Sequence, residues 1–246
     1  MRQLFCLLFA LLVGAYAQAV DIDSLLVASV GGPGAVSVLA ELRSYQTEGI
    51  ANLNGLSGEY SQVFTAPNQF HIEIRVGGMT LVQAFDGTTA WKRDHNGRVS
   101  VIEGMERSQL MTQIYLASYS FILPDRLPGD ARYLGDTTSH DTTWLTAALY
   151  PFSQDTVTML LDPATAEPEI VIERMDNLTG VTKLSDYRTV GGIRMAHRAR
   201  TDFREVQLFT EMITQSVDLN VEIDPALFRM PSEALGTIDF RFSGGA

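Results

Sequence analysis

The stretch FHIEIRVGGMTLVQAFDG, residues 70–87, decides the fold. Apolar and polar side chains alternate through residues 70–76, and a similar pattern follows over residues 79–85, which is the period of a β-strand with one buried face. Gly77-Gly78 separates the two runs and Asp86-Gly87 ends the second, and both pairs are typical of tight hairpin turns. The stretch therefore predicts two antiparallel strands with one apolar face.

Strand patterns continue on both sides of this hairpin, and Asn54-Gly55 and Asn96-Gly97 are further turn signals. The predicted strands cover residues 45–53, 58–65, 70–76, 79–85, 90–93, 142–150, 156–161, 169–175, 182–189, 194–203 and 206–221. Short links between consecutive strands predict a meander. The simplest fold class is mainly β, with one large, curved antiparallel sheet and a few helices.

Three segments depart from the strand pattern. Residues 21–30 form a short apolar helix candidate that begins near Asp21 or Asp23, and Gly31-Gly32-Pro33-Gly34 interrupts it. A second helix is predicted just beyond this break, with its apolar residues on one face. Residues 106–122 have apolar side chains near helical spacing, and the prolines that follow end this third helical segment.

The N-terminus has the features of a cleaved signal peptide, predicted over residues 1–17. Arg2 supplies a positive charge, Leu4–Val13 is an unbroken apolar run, and Ala15-Tyr16-Ala17 offers small residues for cleavage before Gln18. An uncleaved N-terminal anchor is the alternative, although the apolar run is short for a bilayer span. We expect one domain over residues 18–242 and a flexible tail over residues 243–246.

Composition excludes several classes of function. The chain has 246 residues and a formal net charge of −11, so general binding to phosphate backbones is disfavoured. Its one cysteine lies in the predicted signal peptide, so neither a disulfide framework nor a cysteine zinc site is expected. Export to the periplasm or to an extracellular space disfavours ATP and NAD(P) chemistry. We expect a soluble protein, monomeric and without nucleic-acid partners.

No motif for catalysis or for a metal is convincing. Gly32-x-Gly34-x-x-Ser37 lacks the strand–helix–strand context of a dinucleotide loop. The histidines show no metal-ligand spacing, and no Gly-x-Ser-x-Gly elbow is present. We therefore predict no catalytic residues, no metal site, no cofactor and no enzymatic activity.

Four motifs, taken in order, carry a resemblance to a known family. They are APNQF (residues 66–70), FDGTTAW (85–91), YRTVGGI (187–193) and VEIDPALF (221–228). In this order the chain resembles the LolA/LolB-like superfamily of periplasmic proteins, often described as outer-membrane lipoprotein-sorting proteins. The resemblance covers nearly the whole chain after the signal peptide.

The resemblance implies an unclosed antiparallel β-barrel of about eleven strands, with helices that cover its open face. It also implies binding of lipid or lipoprotein acyl chains between sheet and helices, and donor or acceptor proteins at the inner and outer membranes. Lipoprotein chaperones of this family carry an arginine before the proline of the Pro-Asn-x-Phe motif, where it helps to close the helical lid. Here that position is Ala66.

A curved sheet beneath a loosely packed helical cover would leave an apolar cavity that accepts hydrocarbon. The predicted cavity residues on the sheet are Phe64, Phe70, Ile72, Ile74, Leu81, Phe85 and Trp91, and those on the cover are Leu110, Met111, Ile114, Tyr115 and Phe121. The alternative is that these side chains fill a tight core.

Two functions follow from this interpretation. The first is a periplasmic carrier of acyl chains, with the helices as a mobile gate. The second is a lipid-sensing regulatory or interaction module of the cell envelope. A hydrolase is a distant third.

Overall fold

The structure is a computed structural model that describes residues 20–152, 155–175 and 178–232. The predicted signal peptide and the predicted tail both lie outside the described residues. Thirteen strands form one unclosed antiparallel sheet, which confirms the predicted fold class.

The strands follow the meander in chain order. Their bounds are β1 Ser44–Leu53, β2 Leu56–Thr65, β3 Gln69–Val76, β4 Met79–Phe85, β5 Ala90–Arg93, β6 Val99–Val101, β7 Gly129–Ser139, β8 Thr142–Pro151, β9 Val157–Leu161, β10 Pro168–Met175, β11 Leu178–Val190, β12 Ile193–Phe203 and β13 Leu208–Leu219. Each predicted strand has its counterpart here. Strands β6 and β7 had none, and the sheet has thirteen strands where about eleven were expected.

One long-range pairing joins two meanders into a single sheet. In spatial order the sheet reads β6-β5-β4-β3-β2-β1-β13-β12-β11-β10-β9-β8-β7. Tyr45 of β1 lies opposite Leu219 of β13 in this central seam. Strands β6 and β7, which the sequence patterns missed, are therefore the two edges of the sheet.

The described residues also form three α-helices, which are α1 (Ile22–Ser29), α2 (Pro33–Glu41) and α3 (Gly104–Ala117), and two short 3-10 helices at Arg204–Val206 and Pro225–Phe228. Asp21 caps α1, since its carboxylate accepts a hydrogen bond from the Ser24 amide at 3.2 Å. Pro33 fills the first turn of α2, where the missing N–H costs nothing. Helix α3 ends at Ala117, earlier than the predicted 122, because the chain turns at Tyr119 with a positive φ of 55°.

All three helices pack against one face of the sheet, which we call the concave face. Leu26 of α1 joins a core with Leu149 and Leu161, and Leu39 of α2 joins a second with Phe64. Side chains of α3 form a third core on β3, β4 and β5. The opposite, convex face carries the remaining side chains of each strand.

Among the described residues, no single helix has the length and apolar character needed to cross a bilayer. Helices α1 and α2 meet those criteria only when taken together, and the pair is bent by 73°.

Candidate functional site

Strand β3 forms the spine of the candidate site, because its inward residues make one apolar row along the concave face. Phe70, Ile72, Ile74 and Val76 point to this face at every second position. Phe70 lies opposite Phe85, and Ile74 lies opposite Leu81, both on β4. The row runs from a part of the face that helices cover to a part that they leave open.

The covered zone is the part of the concave face beneath α1, α2 and α3. Leu110 and Ile114 of α3 are 1% and 0% exposed, where they pack on Phe70 and Phe85. Met111 and Ile72 border the same core and are half-buried. Side chains of the sheet and the cover therefore interdigitate in this zone.

Eleven of the twelve predicted cavity residues do share the concave side of the molecule. Phe64 packs with α2, Tyr115 packs with α1, and Phe121 contacts both cores. Trp91 is the exception and corrects our placement. Phe85 pairs with Ala90 across the β4–β5 turn, which turns Ala90 inward and Trp91 outward. On the convex face, the Trp91 indole Nε1 donates a hydrogen bond to the Phe228 carbonyl at 2.7 Å.

Arg126 ties the helical cover together. Its guanidinium donates hydrogen bonds to the carbonyls of Leu39 and Leu42 at the end of α2, and to the Ser118 carbonyl just after α3. It also stands 5.4 Å above the Phe64 ring. Burial lowers the pKa of Arg126. Ala66, which stands where the family's lipoprotein chaperones carry an arginine, borders the same core. Here Arg126, from another part of the chain, joins the helices near that position.

Polar contacts bind α3 to both meanders of the sheet. Lys92 of β5 binds Glu106 at 2.6 Å, and Asp155, just before β9, accepts hydrogen bonds from Ser108 and Thr112 at 3.0 and 3.1 Å. Helix α3 is thereby anchored to both meanders.

A second zone of the concave face, which we call the open patch, consists of strand residues alone. It comprises Ala51, Leu53, Tyr60, Ile74, Val76, Met79 and Met212. Leu53, Ile74, Met79 and Met212 are only partly buried, and no helix residue belongs to this cluster. An apolar surface of this kind on a curved sheet can receive an apolar ligand.

Polar groups lie farther along the concave face. The Tyr60 hydroxyl is 2.6 Å from the Thr214 hydroxyl, and the hydroxyls of Thr182 and Thr201 are 2.8 Å apart. Glu173 of β10 points to the same face, and burial, together with nearby Asp155, raises its pKa. Such groups could orient a ligand's polar end.

The predicted hollow between sheet and helices does not coincide with the two cavities that stand out among the described residues. Cavities of about 410 and 290 Å³ open on the convex face. The larger has a mainly polar lining, whereas the smaller is lined by Val63, Ile223 and Leu227 as well as by charged side chains. The described residues contain no group of three or more histidine, cysteine or acidic side chains placed to hold a metal ion.

Sequence reasoning missed Arg126 and six of the seven members of the open patch, which are Ala51, Leu53, Tyr60, Val76, Met79 and Met212. The strand patterns held a signal for these six, since each lies in a predicted strand. Nothing in the sequence around Arg126, which lies in a loop between two prolines, indicated its contacts with two helices.

Comparisons with known proteins bear on the fold. No protein-family model matches the sequence, and no curated protein matches it either. Solved structures do match. A DUF1329 family protein from Desulfovibrio piger superimposes with a TM-score of 0.54 and 12% identity, over 85% of this chain and 97% of that one.

Two further solved structures are similar to a comparable extent. A LolA superfamily protein from Nitrosomonas europaea gives a TM-score of 0.52 and 11% identity, over 86% of this chain and 98% of that one. A domain assigned as an outer membrane lipoprotein-sorting protein from Vibrio parahaemolyticus gives 0.50 and 12%, over 76% and 92%. The chain therefore has a LolA/LolB-like fold, as the sequence motifs predicted.

Proposed function

We propose that this LolA/LolB-like chain is a periplasmic carrier that binds the acyl chains of lipids or lipoproteins on its concave face, without catalysing a reaction. The observation that carries the proposal is the open patch, an apolar cluster on five strands that contains no helix residue and whose outer members, Leu53, Ile74, Met79 and Met212, are only partly buried. The fold supports it, because a solved domain assigned to outer-membrane lipoprotein sorting shares that fold.

The geometry suggests a path for the acyl chain. The β3 row leads from Val76 and Ile74 in the open patch to Ile72 and Phe70 beneath α3. One end of a hydrocarbon chain would lie on the open patch, and the other would reach the covered zone as α3 moves outward. Each buried CH₂ contributes about 0.8 kcal/mol, so sixteen carbons would gain on the order of 10 kcal/mol before the costs of binding.

The test uses two neighbouring residues that point to opposite faces of β13. Met212 belongs to the open patch, whereas Ile213 faces the convex side, and both are half-buried. We expect Met212→Asp to lose the acyl species that co-purify with the wild type, measured by native mass spectrometry, and to lose displacement of a fluorescent fatty acid. Ile213→Asp should keep both.

Two results would contradict the proposal. Equal retention by the two variants would show that the open patch does not hold the ligand. Wild-type protein that carries no acyl species and does not bind the fluorescent fatty acid would remove the carrier function itself. Steady turnover of an added lipid ester would instead favour the hydrolase.

A lipid-sensing interaction module is the second candidate, favoured by the two convex-face cavities, whose lining residues include Glu48, Glu59, Glu73, Glu222 and Asp224. A carrier would deliver its bound acyl chain to acceptor vesicles or to an acceptor protein. A sensor would keep the lipid and change its affinity for a partner, so a transfer assay with labelled lipid distinguishes them.

A further inference from the structure

The convex face carries a depression that the lipid proposal does not use. Its two cavities share Ser61, Glu73 and Arg75 as wall residues, so they form one continuous groove across β1, β2 and β3. The segment of residues 222–227, which follows β13, forms one wall of the smaller cavity. We call this depression the acidic groove.

Local structure shapes and fixes the groove. A register shift between Glu48 and Gly49 leaves one extra residue on β13, and such a bulge bends a strand. A Cβ atom at Gly49 would lie 2.0 Å from the Ile213 carbonyl oxygen, so glycine permits the close approach. The far wall is held by Phe228, which is 1% exposed and accepts the Trp91 hydrogen bond.

The charge of the groove is strongly one-sided. Its acidic lining residues are Glu48, Glu59, Glu73, Glu222 and Asp224. Arg75 is the one cation among the lining residues of the two cavities, and it is already paired with Glu73. A neutral or anionic ligand would meet uncompensated carboxylates, whereas a cationic ligand would be attracted.

A buried histidine gives a second, independent indication of a ligand. His71 lines the smaller cavity, is 6% exposed, and has a buried Nδ1 without a hydrogen-bond partner among the described residues. Burial lowers the pKa of His71 and so favours the neutral ring, which has one acceptor nitrogen. A buried polar atom without a partner is costly, which favours an N–H donor from a bound molecule.

We infer that the acidic groove binds a basic peptide segment of a partner protein. Arginine or lysine side chains of the segment would face the carboxylates, and one of its N–H groups would donate to His71. The groove crosses three strands, and neighbouring strands lie about 4.8 Å apart. It is therefore long enough for several residues of an extended chain, whereas a single ion would fill only part of it. The surface lies opposite the proposed lipid site, so both could be occupied together.

The test measures binding of a labelled hexapeptide of alternating arginine and serine by fluorescence anisotropy. We expect saturable binding that weakens as salt is raised from 50 to 300 mM, because exposed charge pairs are screened. The same peptide with glutamate in place of arginine should not bind. An unlabelled excess of spermine tests for general cation attraction, and displacement of the peptide at equal charge concentration would overturn the proposal.

Matched variants locate the site. Glu48→Gln with Glu59→Gln should weaken peptide binding about fivefold or more. Glu41→Gln with Glu103→Gln removes the same charge from exposed positions outside the groove and should change affinity less than about twofold. Equal losses in the two double variants, or no wild-type binding at all, would overturn the inference.

A substitution at His71 tests the acceptor nitrogen. His71→Phe keeps a ring beside Trp91, whose centroid is 6.5 Å away, and should weaken peptide binding about threefold while acyl retention stays at the wild-type level. Unchanged peptide affinity in His71→Phe would refute the role of His71. If His71→Phe folds poorly, the comparison of the two glutamine double variants still shows whether the peptide binds in the groove or responds only to the net charge of the protein. A variant that loses lipid binding but keeps peptide binding would show that the two proposals fail independently.

Discussion

The covered zone and the open patch belong to the same face of the same sheet, yet only one of them is closed by helices. Strand β3 contributes to both, with Phe70 beneath α3 and Val76 in the open patch. In the covered zone, side chains from sheet and helices bury one another, so this zone stabilises the fold. In the open patch, Ala51, Tyr60 and Val76 are buried by neighbouring strand residues, and the half-buried side chains around them have no helix above them. On the proposed function, stability and binding would therefore depend on different parts of one strand.

The largest effect is expected in the covered zone from Ile114→Asp. Ile114 is fully buried between α3 and the sheet, so its replacement places a carboxylate in an apolar core. We expect a loss of about 3–5 kcal/mol in the free energy of unfolding, measured by urea denaturation. Gln113→Asp, at the exposed neighbouring position, is the control and should cost less than about 1 kcal/mol. Equal losses would mean that α3 is not packed as described.

Arg126→Ala should give the next largest effect, because it leaves carbonyl groups of α2 and of the turn after α3 without their donor. We expect about 2–3 kcal/mol of destabilisation and faster hydrogen exchange in α2 and in the turn after α3. Arg132→Ala removes an exposed arginine that, among the described residues, contacts only surface partners, the Asp130 carboxylate and the Tyr150 ring, and should cost less than about 1 kcal/mol. Unchanged exchange in Arg126→Ala would show that this arginine does not hold the cover.

The open patch should respond in the opposite sense, with a small effect on stability and a large one on binding. Met79 is half-buried at its margin, so Met79→Ser should cost about 1 kcal/mol or less. We expect the affinity for a fluorescent fatty acid to fall by roughly tenfold, since apolar contact is lost where the acyl chain would lie. If Met79→Ser instead lost several kcal/mol of stability but bound the fatty acid normally, the open patch would serve stability and not binding, contrary to this prediction.

The smallest effect concerns Glu173 and depends on pH. Burial raises the pKa of this carboxyl above its ordinary 4.5, so the folded state favours the protonated form. Its contribution to stability is present at low pH and is lost as the pH rises through the folded-state pKa. Glu173→Gln should therefore stabilise the protein slightly at pH 7. The difference should vanish near pH 3.5 in thermal unfolding, and a constant difference at both pH values would contradict this account.

How much of this could be read from the sequence depended on burial. Strands such as β3 bury one face, so their alternation identified them. The two edge strands were not predicted, because β6 has only three residues and most residues of β7 are exposed. Trp91 was assigned to the wrong face because the short strand of residues 90–93 does not by itself show which of its residues point inward, whereas the pairing of Phe85 with Ala90 decides the direction.

The sequence could not predict which part of the concave face is covered by helices and which part is the open patch. Alternation predicts that Phe70 and Ile74 share a face, but not which of them lies beneath a helix. That outcome depends on long-range contacts, such as those of Arg126 with the end of α2. Local patterns therefore predicted the apolar row, and tertiary packing determined which part of it remains open.

The central seam has a consequence for how the chain acquires its structure. Strand β1 is completed by β13, the last strand of the sheet, so the pairing of Tyr45 with Leu219 closes a very long loop. High contact order of this kind slows folding. As the chain is made from its N-terminus to its C-terminus, one edge of β1 stays unpaired until β13 is available. Unpaired strand edges promote aggregation. A holding factor that shields nascent β-edges is therefore expected to raise the yield of native protein.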